Sequence, residues 1–273
     1  MQEADPQYHQ LTLSVSTEFE PVFTHFYFAE NKSSTAVTKT LLPSYQTIML
    51  FCFGTNAFMT TQENTRVEVE QCVVLGPVRQ TFDYTLPAGS SILVANFKDD
   101  AFYRFFGKAM ISNQGTHPDE LLQENCFTEL WHQLSKFPSP QEKTNHILQF
   151  CRPYLQEQDE TSRLLSNFEN LSLNPVKTIA EQTRQSERNI QLKQKEQFGY
   201  SSKELARYNR FLKAIIFIEK ELKCGKKIEW FNIIDACGYY DQSQLIHDFR
   251  HFIRISPSQY VKFQKDICRS GSE

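Results

Sequence analysis

Five short runs in the first hundred residues, 23–28, 48–53, 66–70, 72–75 and 91–94, are β-branched or aromatic. Turn formers such as Gly54, Gly76, Pro77, Pro87 and Gly89 lie between them, and 66–70 alternates strictly between the two kinds of side chain. That is the period of a half-exposed strand. Many short strands at this spacing predict a small barrel or sandwich. From Asp119 onward the period changes. Leu122, Phe127, Leu130, Trp131 and Leu134 recur at helical steps, and Ile147, Phe150, Cys151, Tyr154 and Leu155 form a second amphipathic stretch. The segment 156–160 is polar and aperiodic, and the expected domain boundary falls there, dividing the chain into 1–157 and 158–273. No repeat at a solenoid period occurs.

Beyond that boundary the pattern is helical throughout and predicts two helix-turn-helix units. In 176–199, Val176, Ile179 and Ala180 make a short apolar face. A polar turn follows at Thr183, Arg184 and Gln185, and Ser186 is suited to cap the next helix. In that helix Ile190 and Phe198 point inward and Gly199 marks the stop. Ser201 and Glu204 are spaced as a capping box for a long helix over about 201–224, with Leu205, Tyr208, Leu212, Ile215, Ile218 and Leu222 on one face and Gly225 after its end. At ~1.5 Å per residue this helix spans about 33 Å, close to the ~34 Å turn of B-DNA. The second unit covers about 229–253. Trp230, Ile233, Ile234 and Cys237 precede Gly238. Asp241 then caps a helix with Leu245, Phe249 and Phe252 inward, and Ser256-Pro257 opens a last short helix.

Composition excludes several classes. With 273 residues, 40% of them hydrophobic, and only 9 Gly and 11 Pro, the chain suits a packed core and neither a collagen-like nor a disordered protein. The net charge of −3 at first argues against nucleic acid. Its distribution reverses that reading. Residues 1–157 hold 10 Lys and Arg against 17 Asp and Glu, whereas 158–273 hold 19 against 15, and 177–227 alone carries 13 against 6. An acidic first half masks a basic second half. The seven cysteines are widely spaced with no C-x-x-C pair, which favours reduced, mostly buried thiols over zinc or disulfides. Met1 to Pro6 carries Glu3 and Asp5 without the basic and apolar regions of an export signal, and no apolar stretch is long enough to span a bilayer. A cytoplasmic location without membrane contact is therefore expected.

The run from Ala236 to Ser243, with Phe249-Arg250 and the segment from Ile255 to Tyr260, resembles the signature of AraC/XylS-family transcription regulators. The first unit is similar more loosely, through Ile179-Ala180, the run from Ser186 to Gln191, and Phe198 to Ser201. Leu42-Pro43, Ile48 to Phe51, Gly76-Pro77 and Phe102 to Phe105 are fainter points of likeness to the β-rich sensor-like domain of some bacterial members. The resemblance implies an α+β architecture. A β-barrel, cupin-like domain with flanking helices comes first, followed by an all-α domain of two helix-turn-helix units on a connecting helix. It places Arg188 and Gln191 of the first unit, and Gln242, Ser243 and His247 of the second, at base-facing positions. Arg pairs bidentately with guanine and Gln with adenine. Lys193, Lys195, Arg207, Arg210 and Arg250 suit phosphates, which set affinity and salt dependence. Two positions depart from the family pattern. Leu192 stands where a basic residue is usual and Gln194 where a core phenylalanine is usual, so the first head is expected to read DNA less strongly than the second.

The expected function is a bacterial-type, sequence-specific DNA-binding regulator and not an enzyme. Its partners would be promoter DNA, a small-molecule effector, a second copy through the first domain, and RNA polymerase. The alternative is a cupin-like barrel enzyme with a helical interaction tail, and a third reading is a protein whose first domain only dimerises. The enzyme reading lacks motifs. His9 and His25 are isolated, no H-x-H lies in the strand region, and G-x-S-x-G, P-loop and G-x-G-x-x-G patterns are absent, so neither a metal nor a cofactor is expected.

Overall fold

The structure, a computed structural model, describes residues 7–60, 65–109, 115–168 and 174–269. The start of the chain, Met1 to Pro6, lies outside the described residues, as does the side chain of Cys268. Nine strands come first: β1 (Tyr8–Leu13), β2 (Phe23–Asn31), β3 (Val37–Leu41), β4 (Ile48–Gly54), β5 (Ala57–Thr60), β6 (Arg66–Val69), β7 (Cys72–Leu75), β8 (Phe82–Leu86) and β9 (Ser90–Phe97). Helices follow: α1 (Ala101–Phe106), α2 (Pro118–Leu122), α3 (Cys126–Leu134), α4 (Pro140–Cys151), α5 (Glu160–Ser166), α6 (Pro175–Thr183), α7 (Glu187–Phe198), α8 (Ser202–Lys223), α9 (Trp230–Cys237), α10 (Gln242–Ile253) and α11 (Pro257–Arg269). The expected order, a β-rich first half and a helical second half, is the order observed.

The strands form two antiparallel sheets, β1-β2-β9-β4-β7 and β3-β8-β5-β6. β4 explains why one of its faces had to be covered by helices. Ile48, Leu50 and Cys52 pack with Met59, Tyr84 and Leu86 of the second sheet, while Met49, Phe51 and Phe53 pack on the opposite face with Phe106, Phe127 and Leu130. Six consecutive buried residues hide the two-residue period that a one-sided strand would show. β9 does the same next door, with Phe51 opposite Leu93 and Leu50 opposite Val94. The sequence reading missed β1, β3, β5 and β8. β1 and β3 each form one edge of a sheet, and their mixture of half-buried and exposed residues needs no apolar run.

The helical layer is pinned by polar contacts as well as by phenylalanines. Ser139 and Glu142 form a capping box at the start of α4, with Pro140 at its first position. Buried Lys143 lies 4.2 Å from the Phe53 ring centroid and donates to the Leu134 carbonyl at the end of α3, 2.5 Å away. This places a cation at a helix C-terminus. Asp119 accepts from the backbone amides of Phe127 (2.8 Å) and Thr128 (3.0 Å), which ties α2 to α3. Where the two sheets meet, the hydroxyls of Tyr8, Tyr27 and Tyr84 lie 3.1–3.4 Å apart in a hydrogen-bonded triangle. Burial pushes the phenol ionisation of Tyr8 and Tyr84 upward.

The backbone groups into two compact units, one comprising Pro6–Ser202 and the other beginning at Lys203. The boundary expected at 157/158 lies inside the first of them. Residues 155–159 lack regular structure, but they are not loose. Arg104 donates to the Gln156 carbonyl, Gln158 donates to Asp100 (2.9 Å), and Asp159 caps α5 by accepting from the Ser162 amide (3.1 Å). Among the described residues, no helix is long and apolar enough to cross a membrane.

Candidate nucleic-acid interface

Both helix-turn-helix units form where the sequence places them. In the first, Asn174 caps α6 and Pro175 occupies its first position, while Val176, Ile179 and Ala180 are buried. Arg184 takes a left-handed conformation (φ 55°) at the turn, and the Ser186 side chain accepts from the Asn189 amide to start α7. Ile190 and Phe198 are buried, and Gly199 ends the helix at φ 77°. A side chain at Gly199 would be strained by that φ, and its Cβ would also stand 2.8 Å from Pro77 Cγ and 3.0 Å from the Ala109 carbonyl. Arg79 donates to the Gly199 carbonyl, and the Tyr45 and Tyr200 rings meet edge to face at 5.3 Å. Tyr200 is buried, and this burial, with the charges of Asp99 and Asp100, raises its ionisation. The first helix-turn-helix unit is thus built into the same compact unit as the sheets.

On the outer side of α7, Arg188, Gln191 and Lys195 are exposed. Lys193 is half-buried, with its ammonium 2.7 Å from Asp159, and Gln197 donates to the other oxygen of that carboxylate at 3.1 Å. Burial alone would raise the Asp159 pKa, but hydrogen bonds from Lys193, the Ser162 amide and Gln197 outweigh it and hold the carboxyl at about 2. The two departures from the family pattern resolve differently. Leu192 is exposed on the outer face of α7, and Gln194 is buried, where its side-chain oxygen accepts from Ser202 Oγ (2.5 Å). A hydrogen bond to the first residue of α8 therefore takes the place of apolar packing.

In the second unit, Ile233 and Cys237 are buried on α9, and Gly238 ends that helix at φ 77°. Asp241 accepts from the Gln244 amide at 2.7 Å to cap α10. Leu245, Phe249 and Phe252 are fully buried, while Gln242, Ser243, His247 and Arg250 are exposed. α8 buries Tyr208, Phe211, Ala214 and Ile218, so its inner face is rotated slightly from the expected stripe and includes Phe211 and Ala214. Phe211 sits between Phe249 (5.1 Å) and Phe252 (4.7 Å), which fixes α10 against α8.

Arg207 and Arg210, expected at phosphates, face a protein carboxylate. Asp248, 1% exposed, accepts from Arg207 Nε at 2.6 Å and from Arg210 Nη2 at 2.8 Å. Arg207 Nη2 also lies 2.9 Å from His247 Nδ1. The sequence reading overlooked Asp248, although a signal was present. An acid within the inward stripe of Leu245, Phe249 and Phe252 requires a cationic partner. Among the described residues, no group of three or more His, Cys, Asp or Glu is placed to hold a metal ion.

No protein-family model matches the chain, and no curated protein does either. Among solved structures, ToxT from Vibrio cholerae is 14% identical over 93% of this chain and 98% of its own, with a TM-score of 0.41. ToxT with a bound unsaturated fatty acid is 12% identical over 96% and 97%, at 0.39. A Cupin_2 domain of an XRE family transcriptional regulator from Enterobacter cloacae is 7% identical over 33% of this chain and 95% of its own, at 0.27. Fe(II) HppE is 12% identical over 33% and 49%, at 0.26. Likenesses this distant say nothing about activity.

Proposed function

We propose that the protein is a sequence-specific DNA-binding transcription regulator of the AraC/XylS kind. In this reading the β-rich first half senses a small molecule or joins two copies, and the two helix-turn-helix units address a promoter alongside RNA polymerase. The observation that carries the reading is the two-sidedness of α7 and α10. Each is capped at its start, buries its apolar stripe, and leaves exposed the residues suited to base edges: Arg188 and Gln191 on one, Gln242, Ser243 and His247 on the other. Lys195 and Arg250 are exposed and would add sequence-independent attraction to phosphates. Effector binding would act by shifting the population of conformations that present the heads.

Selection of genomic fragments by the purified full chain at fixed salt tests this reading, with a defined operator as the expected outcome. Arg188→Ala should then lose ~1–3 kcal/mol of specific binding and relax preference at one base, whereas Lys195→Ala should weaken binding to all sequences and lower the salt slope by about 1. Equal, sequence-blind losses from both would remove Arg188 from the base-reading set.

A further inference from the structure

We propose that Arg207 is a positioning residue that fixes the tautomer of His247, making it a donor-only reader that selects against cytosine. The inference deepens the DNA-binding reading above and rests on it. Asp248 holds Arg207 by its Nε (2.6 Å), which leaves Nη2 at 2.9 Å from His247 Nδ1. A guanidinium stays protonated and offers only donors. The Nδ1 atom must therefore accept, and a neutral imidazole that accepts at Nδ1 carries its proton on Nε2. Arg210, bound to the other oxygen of Asp248 at 2.8 Å, keeps that carboxylate from swinging away. The Phe252 ring lies 5.4 Å from the Arg207 guanidinium carbon and supports it from a second side.

His247 is exposed and stands one helical turn beyond exposed Ser243, on the side of α10 opposite its buried stripe. With Nδ1 occupied, what it offers a base edge is a single N–H. In the major groove, guanine presents N7 and O6 as acceptors, adenine N7, and thymine O4, but cytosine presents only an amino donor. A fixed Nε2–H therefore tolerates three bases, meets two acceptors on guanine, and sets donor against donor on cytosine. A histidine free to change tautomer would accept from that amino group and lose the discrimination. Arg207 thus contributes to specificity without touching DNA.

Two readouts test this on the full chain. Nitrogen-15 imidazole spectra at about pH 8, above the ordinary imidazole range, should show the His247 proton on Nε2 without DNA, and a mixture of tautomers in Arg207→Met. In operator selection, the wild type should disfavour cytosine about tenfold at one position. That preference should fall to about twofold or less in both Arg207→Met and His247→Phe, with other positions unchanged. His247→Phe leaves the Asp248 cluster in place and carries the test if loss of Arg207 unsettles α8 and α10. An Nδ1–H tautomer in the wild type, or an unchanged tautomer in Arg207→Met, overturns the positioning. So does an Arg207→Met protein that keeps the base preference but loses affinity for every sequence with a shallower salt slope, because Arg207 would then be a phosphate contact. A wild type with the Nε2–H tautomer that binds no DNA overturns the regulator reading and the base selection together, and leaves the Arg207–His247 positioning standing.

Discussion

Asp248 shows how one buried residue changes the meaning of two exposed-looking ones. A lone carboxylate at 1% exposure is costly, and Arg207 and Arg210 offset that cost with charge-assisted hydrogen bonds. Removing it leaves two guanidiniums that keep partial access to water, with side chains 29% and 23% exposed, so the penalty is smaller than for a stranded buried charge. Asp248→Ala is expected to cost ~2 kcal/mol, measured by urea unfolding followed by amide-exchange protection of α10, with hydrogen bonds to charged groups as the scale. The same substitution should mix the His247 tautomers, because Arg207 loses its anchor. From sequence, Arg207 and Arg210 looked like any two basic residues on an amphipathic helix. Their partner lies 41 and 38 residues further along the chain, on α10, and no local pattern joins 207 to 248. Gln194 was equally opaque: its burial depends on Ser202, a residue of the next helix.

At the scale of elements, α7 depends on a carboxylate outside its own motif. Asp159 caps α5 through the Ser162 amide while holding Lys193 and Gln197 of α7. Its pKa is depressed to about 2, against ~3.9 for a free aspartate. The stabilisation it gives is therefore present above about pH 4 and is lost as pH falls from about 4 toward 2. Asp159→Asn should loosen α7 at pH 6, read as lower amide-exchange protection over Glu187–Phe198, and should differ little from the wild type near pH 2. A difference that persists unchanged at both ends would mean that the charge of Asp159 is not what holds the helix. On the proposed function the same variant releases Lys193, and the salt dependence of DNA affinity should steepen by up to about one ion. The apolar faces, caps and stops of α6, α7, α9 and α10 were legible because each is written locally, in Ser186, Gly199, Gly238 and Asp241. Strands β1 and β3 were not, because their mixed half-buried and exposed residues share their composition with loops.

Over the whole molecule, the net charge of −3 hides the opposition between an acidic first half and a basic second half, and part of the basic half is neutralised internally by Asp159 and Asp248. The two-layer sheet arrangement and the helical second half could be read from periodicity, but the boundary between compact units could not. A polar, aperiodic segment such as 156–160 looks the same whether water or Asp100 and Arg104 satisfy it. The practical consequence concerns where the chain can be divided. A fragment covering 158–273 would separate Gly199 and Tyr200 from Pro77, Arg79, Ala109 and Tyr45, uncovering a buried tyrosine and an unpaired carbonyl. Such a fragment should bind hydrophobic dye and aggregate on concentration, whereas one beginning at Lys203 should keep a cooperative helical melt by circular dichroism. On the proposed function, a fragment meant to bind DNA through both helix-turn-helix units has to keep the first of them together with the sheets, because the compact units divide only after Ser202.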